Sequence, residues 1–443
     1  MQMQRVHNMV MRGMLGAFHA AAKVDLQALT LPPPAGPIRA NLKGRTMQAS
    51  TRISGILGGG GDGWGLFYRA RAMVAAGVPV TELTIGEHDI RTDPVILDAM
   101  DRAARGGATG YAAIPGTDAL RDTVAARVQA ATGVETMRAN VLIVPGGQSG
   151  LFAAHTAVLD AGDTALFIDP YYATYPGTIR GVGAVPRAVP ARPEDGFQPR
   201  AADIAAAAPG ARSLLINSPN NPTGVIYTPA TLDGIAGVCR DHDLWLISDE
   251  VYDTQVWQGA HVSPRALPGM ADRTLVVGSM SKSHAMTGSR VGWIIGPPEM
   301  IAHLTVLSTH TTYGVAGFVQ AAAKFALDLG PAFEAQVAAP FRRRRQIALD
   351  LLAGQNIVRA IPPDGAMYMM LDLRATGLSG EAFAAHLLDT RQIAVMPGES
   401  FGHAAAGHVR VALTVDDARF TAAFAALLET AAELAPQGDT HET

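Results

Sequence analysis

The chain is poor in cysteine, in net charge and in long apolar runs, and each shortage excludes a class of protein. Cys239 is the only cysteine among 443 residues, so no disulfide can form within the chain. The formal net charge of −4 gives no sign of a nucleic-acid partner. No apolar run reaches the length of a membrane span. Together these shortages favour a protein of the reducing cytoplasm that neither binds nucleic acid nor spans a membrane.

Metal-ligand patterns are also missing. The thirteen histidines include no close pair with the spacing of metal ligands, and no cysteine cluster accompanies them. We therefore expect no metal site. The one basic run, Arg342 to Arg345, falls inside a helical pattern. We interpret it as a solvated or inter-subunit helix face rather than as a nucleic-acid patch.

What the chain does contain is enough apolar material for a large core. Hydrophobic residues make up 48% of it and charged residues 17%. Short apolar runs with helical patterns between most of them recur from residue 141 to residue 295. That alternation predicts an α/β fold with a mostly parallel sheet covered by helices on both faces, in three α/β/α layers. From about residue 331 a long helix (333–352) and short strands predict a smaller α+β domain.

Four polar segments follow apolar strands, where open α/β sheets bind ligands. They begin with the glycine-rich turn at Val144–Gly150 and the run Ser218-Pro219-Asn220-Asn221-Pro222-Thr223-Gly224. Next come the carboxylates at the end of Leu244–Tyr252 and the lysine of the segment Ser279–Arg290. Each segment alone is consistent with an ordinary turn, strand end or surface loop. A glycine-rich turn that opens a helix also suits a phosphate, and a lysine held neutral can act as a nucleophile.

Taken together, in this order, the four segments resemble the fold-type I, pyridoxal-phosphate-dependent aminotransferases of class I/II. The resemblance is to the aspartate/aromatic group and covers about residues 50 to 435. The stretch from His242 to His303 is similar to arginine–pyruvate transaminases in particular. The family's activity would be transfer of an amino group between an L-amino acid and a 2-oxo acid, in ping-pong fashion.

The resemblance places the cofactor, pyridoxal 5'-phosphate, residue by residue. Lys282 would form the internal Schiff base and carry protons. Asp249 would pair with the ring nitrogen, and Asn221 and Tyr252 would donate to the ring oxygen. The other implied cofactor contacts bind the phosphate or stack on the ring: Gly147, Gln148, Ser279, Arg290 and Tyr172.

The substrate and the oligomer follow from the same resemblance. Arg410 would grip the substrate α-carboxylate, with Asn221 and the backbone of Gly86 beside it. Tyr111 would reach the phosphate in the neighbouring subunit, since the family's site lies between two subunits of a homodimer. The stretch 311–314 is a further candidate for contact with that site.

The resemblance also divides the chain. Residues 47–90 would form an N-terminal segment that joins the small domain, residues 91–330 the large cofactor-binding domain, and residues 331–435 the small C-terminal domain, followed by a tail at 436–443. Residues 1–46 lie outside the resemblance. We expect them to be disordered or to precede the true start at Met47, although an arm on the partner subunit stays open.

Two departures from the family bear on substrate choice. Gly86-Glu87-His88-Asp89-Ile90 stands where the family often reads Gly-[Glu/Asp]-Pro-Asp-Phe, and Ser289 stands where tryptophan is common. His88 could contact a substrate side chain, but we interpret it as a surface-loop histidine. The donor could be arginine, aspartate or an aromatic amino acid, with pyruvate or 2-oxoglutarate as acceptor.

Two other functions stay open on the same scaffold. One is a carbon–sulfur lyase that eliminates from a β-substituted alanine and consumes no keto acid. The other is a cofactor-binding regulator, which would need a helix-turn-helix module; the 46 leading residues are too few and lack its pattern.

Overall fold

The computed structural model describes residues 47–61 and 63–436. The predicted extension at 1–46, and the predicted tail beyond residue 436, therefore lie outside the described residues. Among the helices within these two ranges, none has the length and apolar character needed to cross a membrane. Within the same ranges, no group of three or more His, Cys, Asp or Glu side chains is placed to hold a metal ion.

The α-helices precede, separate and follow the strands of the main sheet. In chain order they are α1 (Thr51–Ser54), α2 (Gly65–Ala75), α3 (Pro94–Arg105), α4 (Asp118–Thr132), α5 (Gly147–Val158), α6 (Tyr175–Gly181), α7 (Ala201–Ala207), α8 (Pro229–Asp241), α9 (Met280–Ser283), α10 (Pro298–Thr309), α11 (Gly317–Asp328), α12 (Gly330–Ala353), α13 (Gly380–Arg391) and α14 (Asp417–Leu434).

The strands of the described residues form three sheets. In chain order they are β1 (Thr81–Glu82), β2 (Val141–Val144), β3 (Thr164–Asp169), β4 (Val185–Pro190), β5 (Ala211–Asn217), β6 (Trp245–Asp249), β7 (Thr274–Ser279), β8 (Gly292–Ile295), β9 (Arg359–Ala360), β10 (Tyr368–Asp372), β11 (Ile393–Ala394), β12 (Met396–Pro397) and β13 (His408–Ala412).

The largest sheet has seven strands in the order β2-β8-β7-β6-β5-β3-β4. All its neighbours pair in parallel except β8, which runs antiparallel to both β2 and β7. Both faces are covered, as β2 illustrates: Val141 and Ile143 pack in one apolar cluster, whereas Leu142 and Val144 pack in another. Continuous apolar strands of this kind are typical of parallel sheets buried on both faces. The predicted α/β architecture is confirmed.

A second, antiparallel sheet follows in the order β12-β13-β10-β9, with helices α12, α13 and α14 in contact with it or with one another. Its core contains the fully buried rings of Phe341, Phe383 and Phe420. Leu83 packs into the same core, and the preceding β1 pairs in parallel with β11. The region after β8 thus receives a segment from far upstream, although the domain boundaries given above stay predictions.

The basic run on α12 differs from the solvated face that its charge predicted. Arg344 is 3% exposed. Its guanidinium donates to both carboxylate oxygens of Asp89, at 3.1 and 2.6 Å, and also to Asp417 and to the carbonyl of Leu413. A charge can be buried when it is paired and fully hydrogen-bonded. The prediction of a solvated face is therefore wrong for Arg344, because these partners take it out of water.

Candidate active site

A cavity of about 300 Å³ opens at the carboxyl ends of the central strands. Three adjacent strands end there in polar residues: β5 in Asn217, β6 in Asp249 and β7 in Ser279. Asn217 and Asp249 are direct partners in the strand register. This edge is where open α/β sheets bind ligands, because the helices that follow leave a crevice there.

The cavity collects most of the residues that the sequence predicted for the site. Those that line it are Gly86, Gly147, Gln148, Tyr172, Asn221, Asp249, Tyr252, Ser279, Lys282, Arg290 and Arg410. Tyr111 is elsewhere: it is 91% exposed and lines a separate groove beside α11. An exposed tyrosine is what a contact with a second subunit requires, and that role stays a prediction.

One end of the cavity is built to receive an anion. Helix α5 begins at Gly147, so the free N–H groups of its first turn face the cavity. Gly146, with φ of +82°, lies against the guanidinium of Arg290; a Cβ there would come within 2.5 Å of Nη2. Ser279 caps the next short helix, since its hydroxyl accepts from the N–H of Ser281 at 3.1 Å. Backbone donors, hydroxyls and a planar cation together suit a phosphate.

Asp249 lines the cavity at the carboxyl end of β6. Its Oδ2 accepts a hydrogen bond of 2.7 Å from the hydroxyl of Tyr175. Burial raises the pKa of Asp249 to about 6, although the hydrogen bond from Tyr175 lowers it. No cation pairs with Asp249 among the ion pairs of the described residues. A buried carboxylate held by a neutral donor is suited to a cationic ring nitrogen.

Lys282 faces this carboxylate region from the short helix α9. Its Nζ donates to the carbonyl of Gly86. Burial lowers the pKa of Lys282, with nearby arginines acting in the same direction and Tyr368 and Glu87 acting against it. An amine in such surroundings is more readily neutral, which is the form that attacks a carbonyl carbon or accepts a proton.

Arg410 lies on β13, opposite Met370 in the second sheet. Its guanidinium is held between the rings of Tyr368 and Phe401, 4.3 and 4.4 Å from their centroids. It donates to Oδ1 of Asn221 at 2.8 Å and to the carbonyl of Thr84, while its buried Nε has no hydrogen-bond partner among the described residues. A fully buried cation with neutral partners only is unusual, and it is suited to receive an anion.

Three site residues were missed by the sequence analysis. Tyr175 holds Asp249, Tyr368 hydrogen-bonds to the hydroxyl of Tyr252 at 3.1 Å, and Asn217 donates to the carbonyl of Asp249 at 2.9 Å. Tyr175 lies three residues after the predicted Tyr172, at the first position of α6, and this closeness in sequence could have indicated it. Tyr368 had no local signal, because it arrives from β10 in the other sheet.

The residues present fit pyridoxal phosphate. The cavity has an anion-binding end, a central carboxylate and an amine, and its volume is at the lower limit for a small-molecule site. Glycines in and beside the cavity are needed for space. At Gly86 a Cβ would come within 1.7 Å of the Tyr368 hydroxyl, and at Gly146 it would meet Arg290.

Comparisons with known proteins agree with this geometry. The family model described as aminotransferase class I and II matches residues 78–427. The chain is 41% identical to the arginine–pyruvate transaminase of Pseudomonas aeruginosa, over 83% of this chain and 94% of that protein. It is 34% identical to the aspartate/prephenate aminotransferase of Thermus thermophilus, over 77% of this chain and 88% of that protein.

Solved structures give the same result. The aspartate aminotransferase of Thermus thermophilus with maleate matches with a TM-score of 0.81 and 30% identity, over 87% of this chain and 100% of that one. The aromatic aminotransferase of Pyrococcus horikoshii matches with a TM-score of 0.77 and 29% identity, over 80% of this chain and 96% of that one. These relatives are all named as aminotransferases, which disfavours the lyase alternative. The chain belongs to the class I and II aminotransferases, and it is a pyridoxal-phosphate-dependent transaminase.

Proposed function

We propose that this transaminase uses Arg410 to hold the α-carboxylate of a monocarboxylic amino acid and Lys282 to move the proton at its Cα. The observation that carries the proposal is that two cations of one cavity, Lys282 and Arg410, have no ion-pair partner among the described residues. Arg410 is fully buried and Lys282 is partly buried, and both donate hydrogen bonds to neutral groups. Burying a cation without a counter-charge is costly unless a ligand supplies that charge.

The cofactor end follows from the anion site and the central carboxylate. When bound, pyridoxal phosphate supplies an electron sink for the bond broken at the substrate Cα. Ser279, Arg290 and the N–H groups at Gly147 would hold its phosphate. Asp249 would keep the ring nitrogen protonated, and Tyr252 and the free amide nitrogen of Asn221 would donate to the ring oxygen. Tyr172 would stack on the ring.

Lys282 is the group that moves the proton. Once its amine is free and neutral, Nζ can take the proton from the substrate Cα as general base and return it as general acid. The hydrogen bond to the Gly86 carbonyl keeps Nζ at the side of the cavity where Arg410 binds Thr84, two residues upstream of Gly86. The proton acceptor and the carboxylate-binding group are thus tied to the same short segment, which favours a fixed approach to Cα.

The charges on the lining favour a substrate with one carboxylate. The lining cations of the described residues are Lys282, Arg290 and Arg410, and each has a role above. A second carboxylate, as in aspartate or 2-oxoglutarate, would meet Glu87 instead. We therefore favour a donor with a cationic or neutral side chain and pyruvate as acceptor. The likeness to an arginine–pyruvate transaminase supports the same choice.

An absorbance experiment tests this function. The protein is loaded with pyridoxal phosphate, and L-arginine, L-phenylalanine and L-aspartate are added singly without a keto acid. We expect the visible band to convert to the near-ultraviolet pyridoxamine band fastest with arginine and slowest with aspartate. Persistence of the visible band while ammonia and keto acid accumulate would indicate the lyase. Absence of any visible band would contradict the cofactor assignment.

We also propose a homodimer in the cytoplasm. Tyr111 and Tyr313 are 91% and 51% exposed, and their rings meet edge to face with centroids 5.1 Å apart. An exposed aromatic pair of this kind is typical of a subunit interface. The single buried cysteine fits a reducing compartment. Light scattering gives the subunit number, and we expect the double replacement Tyr111→Ser, Tyr313→Ser to weaken the dimer.

A further inference from the structure

His88 is buried, contrary to the surface-loop position expected from the sequence. It is 5% exposed, and its ring meets that of Phe341 edge to face with centroids 5.0 Å apart. Neither ring nitrogen has a hydrogen-bond partner of normal geometry among the described residues. A buried polar group without a partner is disfavoured and calls for an explanation, often a role at a functional site.

The segment that carries His88 is fixed on both sides. Before it, the Gly86 carbonyl accepts from Lys282, and Thr287 donates to Glu87 at 3.2 Å. After it, Asp89 binds both terminal nitrogens of Arg344. His88 therefore cannot turn outward without breaking contacts that reach the site on one side and helix α12 on the other.

The surroundings of the imidazole point to Lys282. Burial lowers the pKa of His88 to about 4, and the positive charge of Lys282 acts in the same direction. The main-chain carbonyl of Lys282 and the carboxylate of Asp89 oppose this, while Arg344 adds to the lowering. The ring is therefore neutral near pH 7, with one N–H donor and one acceptor nitrogen. The Lys282 carbonyl is the main-chain acceptor that acts on this ring, and among the described residues it accepts a 3.2 Å bond from the side-chain amide of Gln255.

We propose that His88 is a positioning residue for Lys282, and that its neutral imidazole acts through a ring nitrogen on the Lys282 main chain. His88 does not line the cavity, so it touches neither substrate nor cofactor. It acts by fixing the backbone from which the Lys282 side chain extends. The inference rests on the proposed role of Lys282, and it goes beyond the family resemblance, because proline is common at this position in relatives.

The test distinguishes the contribution of the His88 ring nitrogens from the contribution of the ring's packing. His88→Phe keeps a ring against Phe341 and removes both nitrogens, whereas His88→Asn and His88→Gln keep an amide near one nitrogen or the other. We expect His88→Phe to bind pyridoxal phosphate but to lose about tenfold in kcat with KM little changed, since small misplacements of a reacting group reduce rate. One of the two amide variants should recover most of the loss.

A second readout does not depend on turnover. The apparent pKa of the visible absorbance band reports the surroundings of Lys282, and phenylalanine makes them less polar. We expect that pKa to fall in His88→Phe and to return in the amide variant that recovers activity. Thermal unfolding of each variant checks the fold, and His88→Leu replaces His88→Phe if the latter does not fold.

The outcomes are distinct from those for the proposed function. Wild-type kcat and an unchanged band in His88→Phe would overturn the role of His88, while the transaminase assignment would stand. Equal loss in all variants, together with lower thermal midpoints, would also overturn it and indicate packing alone. If the wild-type protein formed no visible band with pyridoxal phosphate, the proposed function itself would be contradicted.

Discussion

Buried charges are treated differently in two regions of the molecule. Around α12, Arg344 is paired with two carboxylates, those of Asp89 and Asp417. In the cavity, Arg410 and Asp249 are equally buried, yet both are held by neutral groups. Paired charges satisfy each other and hold segments together, whereas unpaired buried charges are retained where a ligand will complete them. The comparison therefore distinguishes a buried charge that stabilises the fold, Arg344, from buried charges that serve ligand binding, Arg410 and Asp249.

The largest effect is expected from Lys282→Ala. Because Nζ is proposed both to attach the cofactor and to move the proton, turnover should fall by about 10⁴-fold or more. The free energy of unfolding of the cofactor-free protein should not fall, since the change removes a partly buried cation that has no ion-pair partner among the described residues. The matched control is Lys324→Ala, which removes a surface ion pair with Asp328. A variant that still transaminates at the wild-type rate would be inconsistent with the role of Lys282.

Arg344→Met tests the paired region. Loss of the guanidinium leaves Asp89 and Asp417 without their buried partner, so we expect a loss of about 3–5 kcal/mol in the free energy of unfolding. Denaturant titration measures it. Arg343→Met is the control, because Arg343 binds Asp417 from an exposed position and should cost less than about 1 kcal/mol. If both variants lost the same free energy of unfolding, the buried ion pairs of Arg344 would be no more stabilising than the exposed pair of Arg343.

Arg410→Gln tests the unpaired region. The expected loss is in binding rather than folding: kcat/KM for amino acids should fall by about 10²–10³-fold, as for loss of one partner of a buried charge pair. The free energy of unfolding should stay the same or rise. The measurement is the rate of the half-reaction against donor concentration, beside a denaturant titration. A fall of several kcal/mol in the free energy of unfolding would contradict this, because it would show that Arg410 stabilises the fold as Arg344 does.

The smallest effect concerns Asp249 and pH. The pKa of Asp249 is about 6 in the folded protein against an ordinary value of 3.8, so between these values the folded state binds more protons than the unfolded state. The free energy of unfolding of the cofactor-free protein should therefore fall as pH rises through this window, by about 3 kcal/mol in all. Asp249→Asn should abolish that part of the slope. Identical pH dependence in both proteins would contradict the assignment.

The parts of the site carried by local motifs were predictable from sequence. Lys282, Asp249 and Asn221 each follow an apolar strand, and adjacent parallel strands bring their ends to one edge of a sheet. The alternation of strands and helices along the chain also predicts that most strands of that sheet are parallel. The structure places these residues together, while their individual roles stay predictions until the variants are measured.

Other features depended on contacts between distant segments. Tyr368 reaches Tyr252 from the second sheet, and no local pattern indicates which residue a distant strand brings. The run of arginines around Arg344 predicts a solvated or inter-subunit face, whereas the burial of Arg344 depends on Asp89, far upstream. The surface position predicted for His88 is wrong for the same reason, since the contact of Asp89 with Arg344 holds the segment that carries His88.

The single reversed strand of the main sheet has a consequence for the length of the lysine segment. Because β8 runs back beside β7, Ser279 and Gly292 are direct partners, and a Cβ on Gly292 would come within 2.5 Å of the Gly278 carbonyl. The residues between them form a loop whose two ends are held next to each other by the pairing of β7 and β8. An inserted or deleted residue there could not be absorbed by sliding either strand, so it would displace the amine itself. Natural variation in length should therefore be confined to other segments, such as the one that follows the exposed edge strand β4.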